Sequence, residues 1–164
     1  MVRICFVCLG NICRSPTAEA VMKHLVRQEK LDDAFHIESA GTGDWHVGEP
    51  RDRRSQATGA ARGIPLSGRA QQFTAADFAR FDYVLAMDSS NRDNLLKMVP
   101  DAAARAKVSM LRAYEDGDDE GDGDDAADVP DPYYGGAHGF EDVFDICQAA
   151  CSRFLARLRR EHRL

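Results

Sequence analysis

Short apolar runs alternate along this chain with longer stretches of helical periodicity. Val2 to Val7 is apolar apart from Arg3 and reads as a short buried strand, with its core predicted at Ile4–Cys8. Further strands are predicted at His36–Ser39, Tyr83–Met87 and Val108–Leu111, and helices over Pro16–Gln28, Gln56–Arg62, Ala75–Arg80, Ser90–Met98 and Phe140–Arg160. Strands that alternate with helices long enough to cross over predict an α/β sandwich around a parallel sheet of about four strands. In such sheets ligands sit outside the carboxyl ends of the strands, and the residues after Cys8 form a loop at one such end. In the last helix Val143, Phe144, Cys147, Cys151, Phe154, Leu155 and Leu158 recur at helical spacing, which is the stripe of a core-facing helix. Cys147 and Cys151 stand at i and i+4, a spacing that suits pairing or metal binding, but no companion ligand lies nearby and packing is their expected role.

The loop between the first strand and the first helix reads Cys8-Leu9-Gly10-Asn11-Ile12-Cys13-Arg14-Ser15, followed by Pro16-Thr17-Ala18-Glu19-Ala20. Such a loop gathers unpaired backbone N–H groups where the helix dipole favours negative charge. A thiol opens it and a guanidinium closes it, so the field that holds an oxyanion would also push the thiol toward thiolate. A bare C-x5-R spacing is weak, and the bland reading of Cys8 is a small buried hydrophobe. The context strengthens the functional reading. Gly10 and Asn11 tolerate the positive φ that lets successive amides point to one centre. Pro16 suits a first helical turn. A nucleophile and a phosphate cradle in one turn imply phosphoryl transfer through a cysteinyl-phosphate.

The 164 residues suit one domain over 1–164 with one substantial core. No secretory signal is read, because the apolar stretch after Arg3 is short and runs into the polar loop, and no segment approaches a membrane span. Five cysteines, an odd number without metal-finger spacing, fit reduced thiols in a cytoplasmic protein. The net charge of −6 hides an asymmetry: nine acidic residues and no Lys or Arg fall between Glu115 and Asp128, and without them the chain stands at +3. A mildly cationic body suits an anionic substrate but is too weak for a nucleic-acid footprint. The acidic run at 115–128 is expected to be a mobile, solvated loop.

Expelling an alkoxide or phenoxide from a phosphate ester calls for a proton donor. Asp131 is the candidate, within Val129-Pro130-Asp131-Pro132-Tyr133-Tyr134-Gly135-Gly136. Prolines on both sides restrict the backbone and aim one carboxyl from a stiff loop, and two tyrosines follow that can wall an aromatic slot. Taken alone, the segment is better read as a turn with exposed tyrosines; the N-terminal loop gives it its meaning.

Together these segments resemble the low-molecular-weight protein tyrosine phosphatases, a cysteine-dependent family with a flavodoxin-like α/β fold. The resemblance runs over nearly the whole chain and includes Ser39-Ala40-Gly41-Thr42, Asp44-Trp45, Phe81-Asp82-Tyr83 and Met87-Asp88. It implies Cys8 as nucleophile, Arg14 as bidentate phosphate clamp, and Asp131 as general acid and then base. Ser15 would donate a hydrogen bond to the Cys8 sulfur, and Asn11, supported by Ser39, would hold the loop in shape. Leu9, Gly10, Ile12, Cys13, Trp45, Tyr133 and Tyr134 would line a slot too deep for a phosphoserine to reach the thiolate. No metal or cofactor is implied, since loop amides and Arg14 supply the electrostatic stabilisation. Cys13 would form a disulfide with Cys8 and spare it irreversible oxidation. The implied partner is a phosphotyrosine-containing protein, a cognate tyrosine kinase by family analogy, with a monomeric enzyme and no nucleic-acid partner or membrane insertion. Trp45 has a plainer reading as a surface-loop aromatic packed on its neighbours, and Asp88 as a cap for the helix from Ser90 with a secondary effect on the loop.

Two departures from the family pattern stand out. Ser67-Gly68-Arg69-Ala70-Gln71 has Gly68 where the family often has a His that braces Asn11, so bracing is weaker here or comes from other groups. The acidic run superficially resembles a calcium loop from Asp116, but Ala127 stands where a bidentate Glu is needed, so tight calcium binding is not expected. Arsenate reductases share a similar thiol loop, but their chemistry needs further redox cysteines, and there are none between Cys13 and Cys147. A phosphotyrosine-binding module without turnover would need neither Cys8 nor Asp131.

Overall fold

Strand β1 (Val2–Cys8) runs through the middle of the protein and carries no interior polar side chain after Arg3. It pairs in parallel with β2 (Phe35–Gly41) on one side and β3 (Tyr83–Ala86) on the other, and β4 (Val108–Met110) completes the order β2-β1-β3-β4. The computed structural model describes residues 1–115, 126–134, 136 and 138–164. Most of the acidic segment, including the calcium-like stretch from Asp116, lies outside them.

The period-2 alternation of β1 sends its side chains into two cores. Val2, Ile4, Phe6 and Cys8 join α1 (Arg14–Gln28) and α5 (Gly139–His162) on one face. Cys5 and Val7 join Phe73, Phe78 and Leu95 on the other, where α3 (Ser89–Met98) packs. Each fully buried phenylalanine, such as Phe6 or Phe154, contributes about 1.5–3 kcal/mol by leaving water. Cys147 and Cys151 sit inside the α5 stripe with no exposure, as expected of packing residues. Among the described residues no helix is long and apolar enough to cross a membrane.

Several boundaries differ from expectation, each for a local reason. β1 starts two residues earlier, at Val2, and β2 runs on at both ends, from Phe35 to Gly41, because the ladder extends from the Val2–Phe35 pair to the Cys8–Gly41 pair. α1 begins at Arg14, so Pro16 is its third residue, still among the positions whose N–H has no intrahelical partner. α2 (Arg53–Ala61) starts three residues before Gln56 because the Asp52 carboxylate accepts from the Arg54 and Ser55 amides. The predicted helix Ala75–Arg80 is a 3-10 turn, Ala75–Ala79, closed by the Thr74 amide donating to Asp77. Leu111 leaves the strand to open another 3-10 turn, Leu111–Tyr114. A four-residue helix, α4 (Ala102–Arg105), capped by Asp101, was too short for its periodicity to show.

Candidate active site

The loop 9–13 leaves the carboxyl end of β1, at the point where strand order reverses between β1 and β3. Its carbonyls are held from outside. The Thr42 amide donates to Cys8 O and the Gly43 amide to Leu9 O, both at 2.9 Å, while Asp52 N–H donates to Ile12 O at 2.9 Å. In a trans peptide the N–H points opposite to the C=O, so carbonyls drawn outward leave the following amides facing the loop's interior. Unlike α2, α3 and α4, which are capped by Asp52, Asp88 and Asp101, α1 has no side-chain cap. Its first-turn amides are left to an external acceptor.

Cys8 is buried, and Ser15 Oγ lies 3.0 Å from its sulfur. The Asn11 N–H donates to the same sulfur at 3.3 Å. Asn11 adopts φ of 58°, and its buried amide is fully engaged. Nδ2 donates to Ser15 Oγ and Ser39 Oγ, each at 2.9 Å, and Oδ1 accepts from Arg51 Nη1 at 2.9 Å and from the Gln71 amide at 3.0 Å. Within this loop the left-handed conformation belongs to Asn11 alone. Gly10, which tolerates it, has no positive φ; its missing Cβ makes room for the His46 ring, which would stand 2.8 Å away.

Arg14 is 4% exposed, so its position is set by partners rather than by solvent. Nη1 donates to Asp88 Oδ2 and to Val129 O, the latter at 3.1 Å, while Nη2 lies 3.8 Å from Asp131 Oδ2. Burial opposes the Arg14 charge, but Cys8, Asp88 and Asp131 more than offset it and hold the guanidinium above its ordinary pKa. Asp88 performs both suggested roles, capping α3 through Oδ1, which accepts from Asn91 N at 2.7 Å, and fixing Arg14 through Oδ2. Asp131 Oδ1 accepts from Tyr133 N–H at 3.0 Å, an Asx turn that sets the carboxylate's direction.

These groups meet in a cavity of about 240 Å³ lined by Cys8, Leu9, Gly10, Ile12, Cys13, Arg14, Trp45, His46, Asp131 and Tyr133. Every lining residue except His46 was expected from sequence; Asn11, Ser15 and Ser39 lie behind the loop and Asp88 beside Arg14. The Tyr134 side chain is outside what the structure describes. Trp45 both packs on its neighbours and lines the opening: its ring lies over Gly43, where a Cβ would come within 2.3 Å. Arg54 lies 5.3 Å from the Tyr133 ring centroid and 4.6 Å from that of Phe140, steadying the opposite wall. Cys13 is buried, and burial, with Asp52 nearby, pushes its thiol up to about 12. Among the described residues no group of three or more His, Cys, Asp or Glu could hold a metal ion.

A family model described as low molecular weight phosphotyrosine protein phosphatase matches residues 3–164. The chain belongs to this family. A Streptomyces coelicolor relative named a low molecular weight protein-tyrosine-phosphatase is 43% identical over 159 residues, 97% of this chain and 94% of that protein. The human low molecular weight phosphotyrosine protein phosphatase is 41% identical over 155 residues, 94% of each chain. A crystal structure of an Entamoeba histolytica protein tyrosine phosphatase with Hepes in the active site superposes with a TM-score of 0.89 at 36% identity, covering 100% of both chains. As a low molecular weight phosphatase the protein is a hydrolase of the protein-tyrosine-phosphatase class, and the flavodoxin-like expectation agrees with its four-stranded parallel sheet. Arg51, Glu19, Gln71 and His46 were not foreseen as site residues. Arg51 and Glu19 are buried charges far apart in sequence, and no contiguous signal joins them to the loop.

Proposed function

We propose that this phosphatase hydrolyses phosphotyrosine through a cysteinyl-phosphate, with Cys8 as nucleophile, Arg14 as clamp and Asp131 as general acid and base. The observation that carries the reading is the convergence of the Cys8 sulfur, the Arg14 guanidinium and the Asp131 carboxyl on one cavity with aromatic walls at its mouth. The Cys8 thiolate attacks phosphorus in line with the leaving oxygen. As the S–P bond forms and the P–O bond breaks, protonated Asp131 gives its proton to the departing tyrosyl oxygen. A free phenol has a pKa of about 10, so this proton removes most of the cost of expulsion near neutral pH. Water then attacks the cysteinyl-phosphate while the Asp131 carboxylate takes its proton. The S–P bond breaks, releasing inorganic phosphate and restoring the thiolate. Arg14 and the loop amides neutralise the equatorial oxygens in both steps.

Leu9, Trp45 and Tyr133, all substantially exposed at the mouth, would grip the substrate ring. Ser15 and the Asn11 amide would stabilise negative charge on sulfur, and Cys13 would trap oxidised Cys8 as a disulfide. The proposed substrate is a phosphotyrosyl protein, a cognate tyrosine kinase among the candidates, met by a monomeric cytoplasmic enzyme. The test is p-nitrophenyl phosphate turnover with EDTA present. Wild type should turn over, Cys8→Ser should bind vanadate without turnover, and Asp131→Ala should lose most activity on esters with poor leaving groups. Full turnover by Cys8→Ser would refute the mechanism.

A further inference from the structure

Arg51 is a cation with almost no access to water, at 5% exposure, and it sits directly behind the phosphate loop. Its three nitrogens are spent on protein. Nε donates to Ser67 O at 3.1 Å, Nη1 donates to Asn11 O at 2.7 Å and to Asn11 Oδ1 at 2.9 Å, and Nη2 lies 3.6 Å from Glu19 Oε1. Holding the Asn11 carbonyl from behind leaves the other end of that peptide, the Ile12 N–H, directed toward the anion side. The adjoining Asp52 amide does the same to the next peptide by donating its N–H to Ile12 O. One short segment thus sets the polarity of two successive loop dipoles.

Space for this guanidinium is secured at Gly68. A Cβ there would stand 3.3 Å from Arg51 Nη2, and the residue's φ of +83° already disfavours a side chain. The bracing of Asn11 left open by Gly68 in the sequence is therefore carried by Arg51, whose guanidinium packs against Gly68. The charge also reaches the nucleophile. Burial pulls the Arg51 pKa down, while Glu19 and Cys8 push it back, so Arg51 and Cys8 are electrostatically coupled across the loop. Geometry joins them as well: the Asn11 N–H donates to the Cys8 sulfur at 3.3 Å, and Asn11 is the residue that Arg51 holds. The counter-charge is shared: Glu19 also receives Ser39 Oγ–H and lies 2.6 Å from Lys23 Nζ.

We propose that Arg51 is a positioning residue for the phosphatase reaction, locking the Asn11 peptide outward and supplying a second buried positive charge behind the Cys8 thiolate. The proposal rests on Cys8 being the nucleophile. The groups facing Arg51 and Cys8 are Glu19 and Lys23 on α1, Arg14 at its start, Cys13 in the loop, Cys147 on α5 and Asp131 across the cavity. The experiment measures iodoacetate alkylation of Cys8 against pH, and vanadate affinity, in wild type, Arg51→Gln, Arg51→Lys and Glu19→Gln. Arg51→Gln should raise the alkylation midpoint by about one pH unit, the usual effect of losing a nearby opposite charge, and weaken vanadate about tenfold or more. Arg51→Lys should restore the midpoint but not vanadate affinity, because one ammonium cannot hold Ser67 O and both Asn11 oxygens together. If Arg51→Gln does not fold, Glu19→Gln carries the test: removing the counter-charge should lower the midpoint. A midpoint unchanged in every folded variant overturns the proposal. Wild type lacking vanadate-protected alkylation would instead refute Cys8 as nucleophile.

Discussion

Replacing Asp88 separates two tasks that one carboxylate performs with its two oxygens. Oδ1 caps α3 and Oδ2 holds Arg14, whose side chain is 5% exposed against 17% for Asp88. Asp88→Ala removes a helix cap, at a cost of about 1 kcal/mol. It also leaves a buried guanidinium without its nearest carboxylate, for which breaking a buried pair typically costs about 3–5 kcal/mol. Val129 O and Asp131 still face Arg14, so the low end of that range applies and the expected total, with the cap, is about 4 kcal/mol. Asp88→Asn is the sharper probe, because an amide has only one carbonyl oxygen. It can cap α3 or accept from Arg14 but not both, and its NH2 must face one of two donors. We expect a loss of about 2 kcal/mol and a kcat lower by about 10–100-fold, since a clamp displaced by an ångström costs that much. Urea denaturation at pH 7 should place the midpoint of Asp88→Ala about 1–2 M below wild type, with Asp88→Asn between them. If Asp88→Asn matches wild type in both midpoint and kcat, the shared-carboxylate account is wrong.

Glu38 gives an acid-limb prediction. Burial pushes its carboxyl up, but hydrogen bonds from His36 and Gln71 and the Arg80 charge win and leave it lowered. A lowered folded pKa stabilises above the unfolded value of about 4.3 and is lost as pH falls through the folded value. Urea midpoints of Glu38→Gln should therefore fall less between pH 5 and pH 3 (about that window) than those of wild type; parallel curves would exclude the effect. Cys13, held up to about 12, should escape iodoacetate at pH 8 (roughly, where exposed thiols react) while Cys8 is labelled, as mass spectrometry would show. Peroxide should inactivate wild type reversibly and Cys13→Ser less so; equal recovery on adding thiol would remove the protective role. Gly43→Ala should push the indole of Trp45 away, raising KM for aryl phosphates about fivefold for the loss of about 1 kcal/mol of ring contact. Trp45 is the only tryptophan, so a shift in intrinsic fluorescence reports the move directly, and unchanged emission and KM would place the ring outside the substrate's path.

The parts of the site that could be read from sequence are those written contiguously. The loop from Cys8 to Ser15 and the Asp131 turn each carry their geometry locally, through a strand end, a helix start and two prolines. The apolar run of β1 and the helical stripe of α5 are legible in the same way, the one from unbroken hydrophobicity and the other from its period. What escaped reading depends on distance. Arg51 follows Pro50 in a polar stretch with no periodicity, and only the fold brings it under Asn11. Glu19 looks like an ordinary helix-surface acid until α1 is docked and the residue is found buried. The glycine at position 10 illustrates a different limit: its need for space comes from His46, a neighbour that no local rule supplies. Short 3-10 turns and α4 failed for a simpler reason, since four or five residues hold too little of a period to distinguish.

Asp128 and Val129, after the acidic stretch, are fixed to the body at several points. Asp128 Oδ1 takes the Ser89 amide, its carbonyl takes Arg112, Val129 N–H reaches Met87 O, and Val129 O receives the guanidinium of Arg14. Arg14 and Asp131, the proposed phosphate clamp and proton donor, thus hang from a common peg that follows residues 116–125 in the chain. That peg sets the chemistry apart from the segment before it: insertions, tags or truncations spliced there should leave turnover intact, whereas shifting the register by a single residue at Val129 should abolish it.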